Sequence, residues 1–306
     1  MKDRTGVRSF AARFVAAISL PILLLALYGL AIRPCQLRWG ATPEEVARPM
    51  PGDQLVTGPT FWATRAITIQ GRSEDIWPWL VQMGYNRAGY YGYDLIENIG
   101  STTGLRSATT ILPVFQHPKT GDVLPISAVA HLVFGEIQPY RYLIWRNKGD
   151  HGNGAFTWAL YPVDQRQTRL VSRIRLRYHR SGRALALDLF TEFADPVAVP
   201  KILRGVKARV EGSAPEPLAF EAAEIATWLI AIGTFIVAVW LIFRQRRWLR
   251  AWIAGLTAGL VLLFAVYAHV PVWMSTVTVC AAAAAVRSVV RGETRYARPR
   301  IQDPNV

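Results

Sequence analysis

Three long stretches without a charged residue constrain the fold of this chain more than any other feature. They cover residues 14–32, 225–243 and 251–286. About 20 apolar residues cross a bilayer as one helix, so the first two stretches each predict a single span. The third is too long for one helix, and His269 and Pro271 in its middle predict a turn between two shorter spans. We therefore predict four transmembrane helices, over 14–32, 225–243, 251–268 and 271–286.

The basic residues flank these stretches and predict their orientation. The chain has 35 Lys and Arg against 21 Asp and Glu, a net charge of +14 at pH 7. Much of this excess lies in a tail at 1–13, a link at 244–250 and a tail at 287–306, and short basic segments stay in the cytoplasm. We expect a protein of the bacterial cell membrane with both termini cytoplasmic and residues 33–221 outside the cytoplasm. Because membrane topology accounts for the charge, we expect no nucleic-acid binding.

The third stretch also indicates how the spans pack. Gly255 and Gly259 form a small-xxx-small pair, which permits close contact with another helix. No charged residue lies within residues 251–286, so this stretch offers no path for a proton or an ion. The spans are therefore predicted to be an anchor, with Gly255 and Gly259 as a candidate helix contact.

The residues between the first two spans divide into a proline-rich segment and a folded domain. Five prolines lie within residues 33–59, which predicts an extended linker that wraps the domain. Residues 60–212 combine strand and helix patterns and are long enough to bury one core. This domain is predicted to begin with a strand at 60–70, followed by short helices at 73–84 and 93–99.

A meander of strands is predicted to follow these two helices. Turn residues separate the strands, as expected for antiparallel neighbours. In the last strand, Arg173 and Arg175 alternate with Ile174 and Leu176. This alternation predicts one basic side facing solvent and one side facing the core. The predicted strands cover 121–126, 131–138, 140–146, 154–162 and 168–179.

A long helix is predicted to close the domain. Residues 183–209 place apolar side chains at helical spacing, with an interruption at Asp195–Pro196. The order of elements predicts an α+β fold, with an antiparallel sheet curled around the C-terminal helix, in addition to the four transmembrane helices. A space between such a sheet and its helix would suit an apolar ligand.

Several segments of the domain carry a family resemblance. They are ATRAITI at 63–69, IWPWLVQMG at 76–84, GYYGYDLIENIG at 89–100, GDVLPI at 121–126, TRLVSRIR at 168–175 and KILRGVKARVEG at 201–212. Together they resemble the SRPBCC superfamily, also called START-like or helix-grip, and within it the polyketide cyclase/dehydrase and lipid-transport group. The resemblance covers residues 38–212 and implies a helix-grip fold. It implies no single activity, because the superfamily includes enzymes, lipid carriers and ligand sensors.

The chain has no recognisable metal or cofactor motif. The five histidines lack metal-ligand spacing, and there is no phosphate loop, dinucleotide fingerprint or nucleophile elbow. We therefore expect no metal and no cofactor. The histidines are His117, His131, His151, His179 and His269.

Tyrosines and carboxylates concentrate in residues 85–98, and this cluster holds the candidates for catalysis. Tyr93 and Asp94 could polarise a carbonyl group or transfer a proton. The alternative is structural, with Asp94 as a helix N-cap and Glu97, three residues later, as its capping-box partner. Both interpretations stay open at this stage.

Aromatic and apolar side chains of the domain are the candidates for ligand binding. An ordinary core would use the same residues, so packing is the alternative explanation. The predicted ligand-binding residues are Trp77, Tyr90, Tyr91, Tyr93, Phe134, Trp145, Phe156, Trp158, Ile174, Leu189 and Phe193.

These observations predict a membrane-anchored domain that binds a hydrophobic small molecule or a lipid without covalent chemistry. The resemblance leaves open a cyclase or dehydratase-like enzyme acting on a polyketide-like or isoprenoid substrate. A structural or regulatory module, whose spans contact a partner membrane protein, is the third hypothesis.

Overall fold

The computed structural model describes residues 3–148, 153–178, 182–244 and 248–296, without the side chains of 3–9, 183–184 and 290–296. The chain divides into two compact units, one of which is Arg33–Glu221. The other combines Met1–Ile32 with Ala222–Val306.

The described residues form nine α-helices and six strands. The helices are α1 Asp3–Leu27, α2 Arg33–Gln36, α3 Pro43–Ala47, α4 Ser73–Val81, α5 Asp94–Glu97, α6 Gly182–Val210, α7 Leu218–Arg244, α8 Trp248–Tyr267 and α9 Val272–Tyr296. The strands are β1 Phe61–Gln70, β2 Val123–Pro125, β3 His131–Gln138, β4 Tyr142–Arg146, β5 Gly154–Pro162 and β6 Gln167–Leu176. A π-helical turn, Tyr28–Ile32, joins α1 to α2.

Four helices are long and apolar enough to cross a membrane. They are Phe10–Gln36, Leu218–Arg244, Trp248–Tyr267 and Val272–Val289, in agreement with the number of predicted spans. The helix break between Tyr267 and Val272 contains Pro271, where the turn was predicted. The orientation of the spans stays a prediction, and part of its basis, residues 245–247 and 297–306, lies outside the described residues.

The glycine pair of α8 contacts α1 of the same chain. A Cβ atom added to Gly255 would meet Leu20 Cδ1 at 2.8 Å, and one added to Gly259 would overlap Leu24 Cδ1. Trp252 on the same helix donates its indole N–H to the Ala16 carbonyl at 3.1 Å. The close approach that small residues permit is therefore made within the chain.

The Arg33–Glu221 unit is an α+β fold, as predicted. Its six strands are all antiparallel, in the order β1-β6-β5-β4-β3-β2. The predicted strands at 131–138 and 154–162 match β3 and β5, but the last strand ends at Leu176 instead of 179. The two early helices are shorter than predicted, because α4 ends at Val81 and α5 is a single turn.

The predicted interruption of the long helix at Asp195–Pro196 is wrong, because α6 continues through both residues. A proline inside a helix removes one hydrogen bond and costs about 3 kcal/mol. Packing against the sheet offsets this cost, since α6 is buried from this point onward through side chains such as Val199, Leu203 and Val206.

The prediction that one side of β6 is basic and faces solvent is also wrong. Residues 41–58, here called the strap, cover this side of the sheet, and only 3% of Arg173 is exposed. The guanidinium of Arg173 donates to Asp53 Oδ2 at 2.8 Å and to the carbonyls of Arg48 at 2.8 Å and Glu45 at 2.7 Å. The strap thus provides hydrogen-bond acceptors for buried cations that the sequence periodicity predicted to be exposed to water.

Local structure in the strap explains how it provides these acceptors. Thr42 and Glu45 form a capping box at the start of α3, with the Glu45 N–H donating to Thr42 Oγ1 at 3.2 Å. Glu45 then accepts from Arg169 Nε at 2.7 Å. The segment predicted to be an extended linker is therefore partly helical and packs on the sheet.

Candidate functional site: the interior between the sheet and α6

The face of the sheet opposite the strap packs under α4 and α6 around a cluster of aromatic residues. Six predicted ligand-binding residues are buried in this cluster, and Phe156 packs against it. This cluster is here called the aromatic interior. It also contains Leu143 of β4 and Leu160 of β5. The six are Trp77, Tyr90, Tyr91, Phe134, Trp145 and Trp158.

The other four predicted residues lie elsewhere. Ile174 packs in a neighbouring cluster with Phe61 and Ala63. Tyr93 is buried, and Lys201 Nζ lies 5.1 Å from the centre of its ring. Leu189 and Phe193 are exposed, because the first half of α6 does not pack on the sheet.

Two tryptophans form the centre of the aromatic interior. Strand alternation directs Trp145 of β4 and Trp158 of β5 to the same face, and their ring centroids are 5.4 Å apart. Both are more than nine-tenths buried, with exposed fractions of 4% and 2%. Neither indole Nε1 has a hydrogen-bond partner within the described part of the chain. An unpaired buried donor costs about 1–3 kcal/mol.

The tyrosine hydroxyls near this interior are already bonded to backbone carbonyls. Tyr90 donates to Pro125 O at 3.1 Å, and Tyr91 donates to Trp79 O at 3.1 Å. Burial raises the pKa of both phenols. They therefore remain protonated near neutral pH and act as packing and hydrogen-bonding groups.

Asp94 does not cap a helix, so the capping-box prediction is wrong. The N-cap of α5 is Tyr93, and Asp94 is the first helical residue. Its carboxylate accepts from Ser107 N at 3.0 Å, from Ser107 Oγ at 2.5 Å and from Asn98 Nδ2 at 3.2 Å. The Asp94 carboxylate therefore binds Ser107, which is distant in sequence, and does not cap a helix as the local sequence pattern predicted.

Glu97 is the most perturbed carboxyl group of this region. Burial raises its pKa from 4.5 to about 8, and the charge of nearby Asp94 contributes to the rise. The Oε2 atom is buried and has no hydrogen-bond partner among the described residues. Gly92 makes room for the group, because a Cβ at that position would meet Glu97 Oε1 at 2.5 Å.

This pKa predicts that Glu97 makes stability depend on pH. The folded chain holds a proton that the unfolded chain loses above pH 4.5, so stability should fall as the pH rises from about 4.5 to about 8 and level off above it. Glu97→Gln is expected to remove this fall and to stabilise the chain at pH 9 by roughly 3 kcal/mol. Thermal unfolding of the full chain in detergent between pH 5 and 9 measures the effect. Glu74→Gln, an exposed residue of α4, is the control, and an equal response of the two variants would contradict the prediction.

A buried ion pair was not identified from the sequence. Arg65 Nη2 lies 2.6 Å from Asp195 Oδ2, beneath α6, and only 1% of the Arg65 side chain is exposed. Arg65 Nε also donates to Gln36 O at 2.8 Å. Burial raises the pKa of Asp195, although the charge of Arg65 opposes the rise. Alternation in the sequence could have indicated that Arg65 is buried, because it lies with Ala63 and Ile67 on the side of β1 that faces α6.

No group of three or more His, Cys, Asp or Glu side chains within the described ranges could hold a metal ion. His151 and His179 lie outside these ranges.

No family model and no curated protein matches the chain. Matching solved structures include the resistance protein CalC from Micromonospora echinospora (14% identity, TM-score 0.30, 51% of this chain and 97% of that one). Another is the polyketide cyclase-like protein Cgl2372 from Corynebacterium glutamicum (13% identity, TM-score 0.25, 52% and 88%). A third is the conserved protein EF2215 from Enterococcus faecalis (13% identity, TM-score 0.30, 53% and 78%).

Proposed function

We propose that the Arg33–Glu221 unit binds a hydrophobic small molecule or a lipid in the aromatic interior, while the membrane-spanning helices anchor it. The observation that carries the proposal is the pair of unpaired indole N–H groups of Trp145 and Trp158. Buried polar groups nearly always have partners, and an unpaired one calls for an explanation. Two such donors side by side in an apolar cluster fit a ligand that supplies the missing acceptor.

The chemistry of the indole group limits what this ligand is. An indole nitrogen only donates hydrogen bonds, so the ligand presents an acceptor such as a carbonyl, ester or ether oxygen. The neighbours in the cluster include Phe134, Leu143 and Leu160, and the buried Ser172 of β6 is the register partner of Trp158. A largely apolar body with one or two acceptor oxygens is therefore the class of molecule that fits.

Trp145→Phe and Trp158→Phe are expected to reduce ligand retention at least tenfold each, because each change removes a donor and keeps an aromatic ring. Native mass spectrometry of the full chain, released from nanodiscs made of cell lipid, measures the retained ligand. Trp62→Phe is the matched control, since this half-exposed indole is bonded to Thr64 Oγ1 at 3.3 Å. Unchanged retention in both interior variants would contradict the proposal.

The alternative of a cyclase or dehydratase-like enzyme draws support from Glu97. A carboxyl group with a pKa of about 8 is mostly protonated at neutral pH and can act as a general acid. The hydroxyls of Tyr90 and Tyr91, in contrast, already donate hydrogen bonds to backbone carbonyls. Recovery of the retained ligand chemically unchanged after incubation at pH 7 favours binding, while its conversion by the native chain and not by Glu97→Gln favours the enzyme.

A further inference from the structure

Between residues 185 and 193, the first half of α6 exposes apolar side chains on most of its surface. Leu187 and Phe190 are each 65% exposed, and Leu185, Leu189 and Phe193 are also exposed. At about 100° per residue, these five positions cover an arc of roughly 200° around the helix.

The remaining arc of the same segment is acidic and faces the protein. Glu192 pairs with Arg33, with Arg33 Nη2 donating to Glu192 Oε2 at 3.1 Å. Asp195, one turn further, pairs with Arg65, and Asp188 on the same side is buried. A helix in water turns its charged side outward and its apolar side inward. This segment does the opposite, so its outer face suits an apolar surrounding.

The covalent connections of the chain indicate what this surrounding is. Arg33, the partner of Glu192, belongs to the last turn of the candidate span Phe10–Gln36. The other end of the unit, Glu221, continues into the candidate span Leu218–Arg244. The unit is therefore tethered to a bilayer at both ends. Arg177 and Arg180 precede α6 and Arg183 is its second residue, and such basic residues favour anionic headgroups.

We propose that residues 185–193 form an interfacial membrane helix, whose apolar face rests among the lipids of the bilayer that holds the spans. Leu187 and Phe190 are the most exposed residues of this apolar face, and Glu192 keeps the opposite face on the protein through Arg33. This contact is independent of the aromatic interior and of any ligand within it.

Site-specific fluorescence in nanodiscs tests this proposal on the full chain. Cys35→Ser and Cys280→Ser remove the two native cysteines, and an environment-sensitive NBD label is attached at Phe190→Cys or, separately, at Leu187→Cys. Val163→Cys is the control, because this exposed residue lies in the β5–β6 turn, at the opposite end of β6 from Leu176. The nanodiscs contain phosphatidylcholine and phosphatidylglycerol, with or without nitroxide-labelled lipid.

Labels at 187 and 190 are expected to lose at least half of their emission to the lipid nitroxide, while the label at 163 is unaffected. Quenching at 187 and 190 no greater than at 163 would overturn the proposal. Labels with blue-shifted emission that the lipid nitroxide does not quench would also overturn it, because a protein surface would then cover the face. The two label positions are exposed and are read separately, so failure of one variant to fold leaves the other decisive.

Discussion

Arg65→Met is expected to destabilise the full chain by about 3–5 kcal/mol at pH 8, one of the two largest effects that we predict. Breaking one partner of a buried ion pair leaves the other charge uncompensated. Asp195 is nine-tenths buried and Arg65 is its ion-pair partner. The loss should shrink as the pH falls, because burial raises the pKa of Asp195 and the group becomes neutral on protonation.

A double variant separates this coupling from simple loss of packing. Arg65→Met combined with Asp195→Leu should recover most of the lost stability, because an apolar pair often replaces a buried ion pair at little cost. Thermal unfolding of the two single variants and the double variant in detergent, at pH 6 and pH 8, gives the coupling free energy. A double variant that is no more stable than Arg65→Met would rule out the coupling.

The second large effect is expected for Arg173→Met, which should release the strap from the sheet. The change leaves the carbonyls of Glu45 and Arg48 and the carboxylate of Asp53 without their buried donor. Hydrogen bonds from a charged group contribute about 1.5–3 kcal/mol each, and several are lost together. We expect amide exchange across residues 44–56 to accelerate at least 100-fold, which hydrogen exchange with mass spectrometry would measure.

Arg166→Met is the matched control for the strap. Arg166 is exposed in the β5–β6 turn, so its removal should leave exchange in the strap unchanged. If Arg173→Met also left the protection of residues 44–56 unchanged, the strap would be held by its apolar contacts, such as Met50 and Val56.

Local periodicity was sufficient to predict the sheet and the centre of the candidate site. Phe156 and Trp158 belong to the strand predicted at 154–162 and were predicted to bind a ligand, and both reach the aromatic interior. The four apolar helices could also be predicted from the sequence, because the thickness of a bilayer sets their length. These patterns indicate on which side of a helix or strand a residue lies.

The errors arose where a residue distant in sequence decides the outcome. The alternation of Arg173 was identified correctly, but only the fold shows that the strap covers that face. The Asp94 carboxylate accepts a hydrogen bond from Ser107. The three-residue spacing between Asp94 and Glu97 therefore led to the wrong prediction of a capping box. Leu189 and Phe193, which were predicted to bind a ligand, lie on the exposed half of α6, and their contact with a ligand stays a prediction.

The unpaired indole donors could not be predicted from the sequence. Trp145 and Trp158 were expected in the interior, but the absence of an acceptor depends on every neighbour that the fold brings near them. This feature carries the proposal of a ligand with an acceptor oxygen.

The most direct test of that proposal is the mass of the full chain released from native-lipid nanodiscs, compared between the native sequence and the double variant Trp145→Phe/Trp158→Phe. We predict a stoichiometric apolar adduct on the native chain, an equal adduct on Trp62→Phe and almost none on the double variant. A native chain without an adduct, or an adduct retained equally by the double variant, would contradict the proposal.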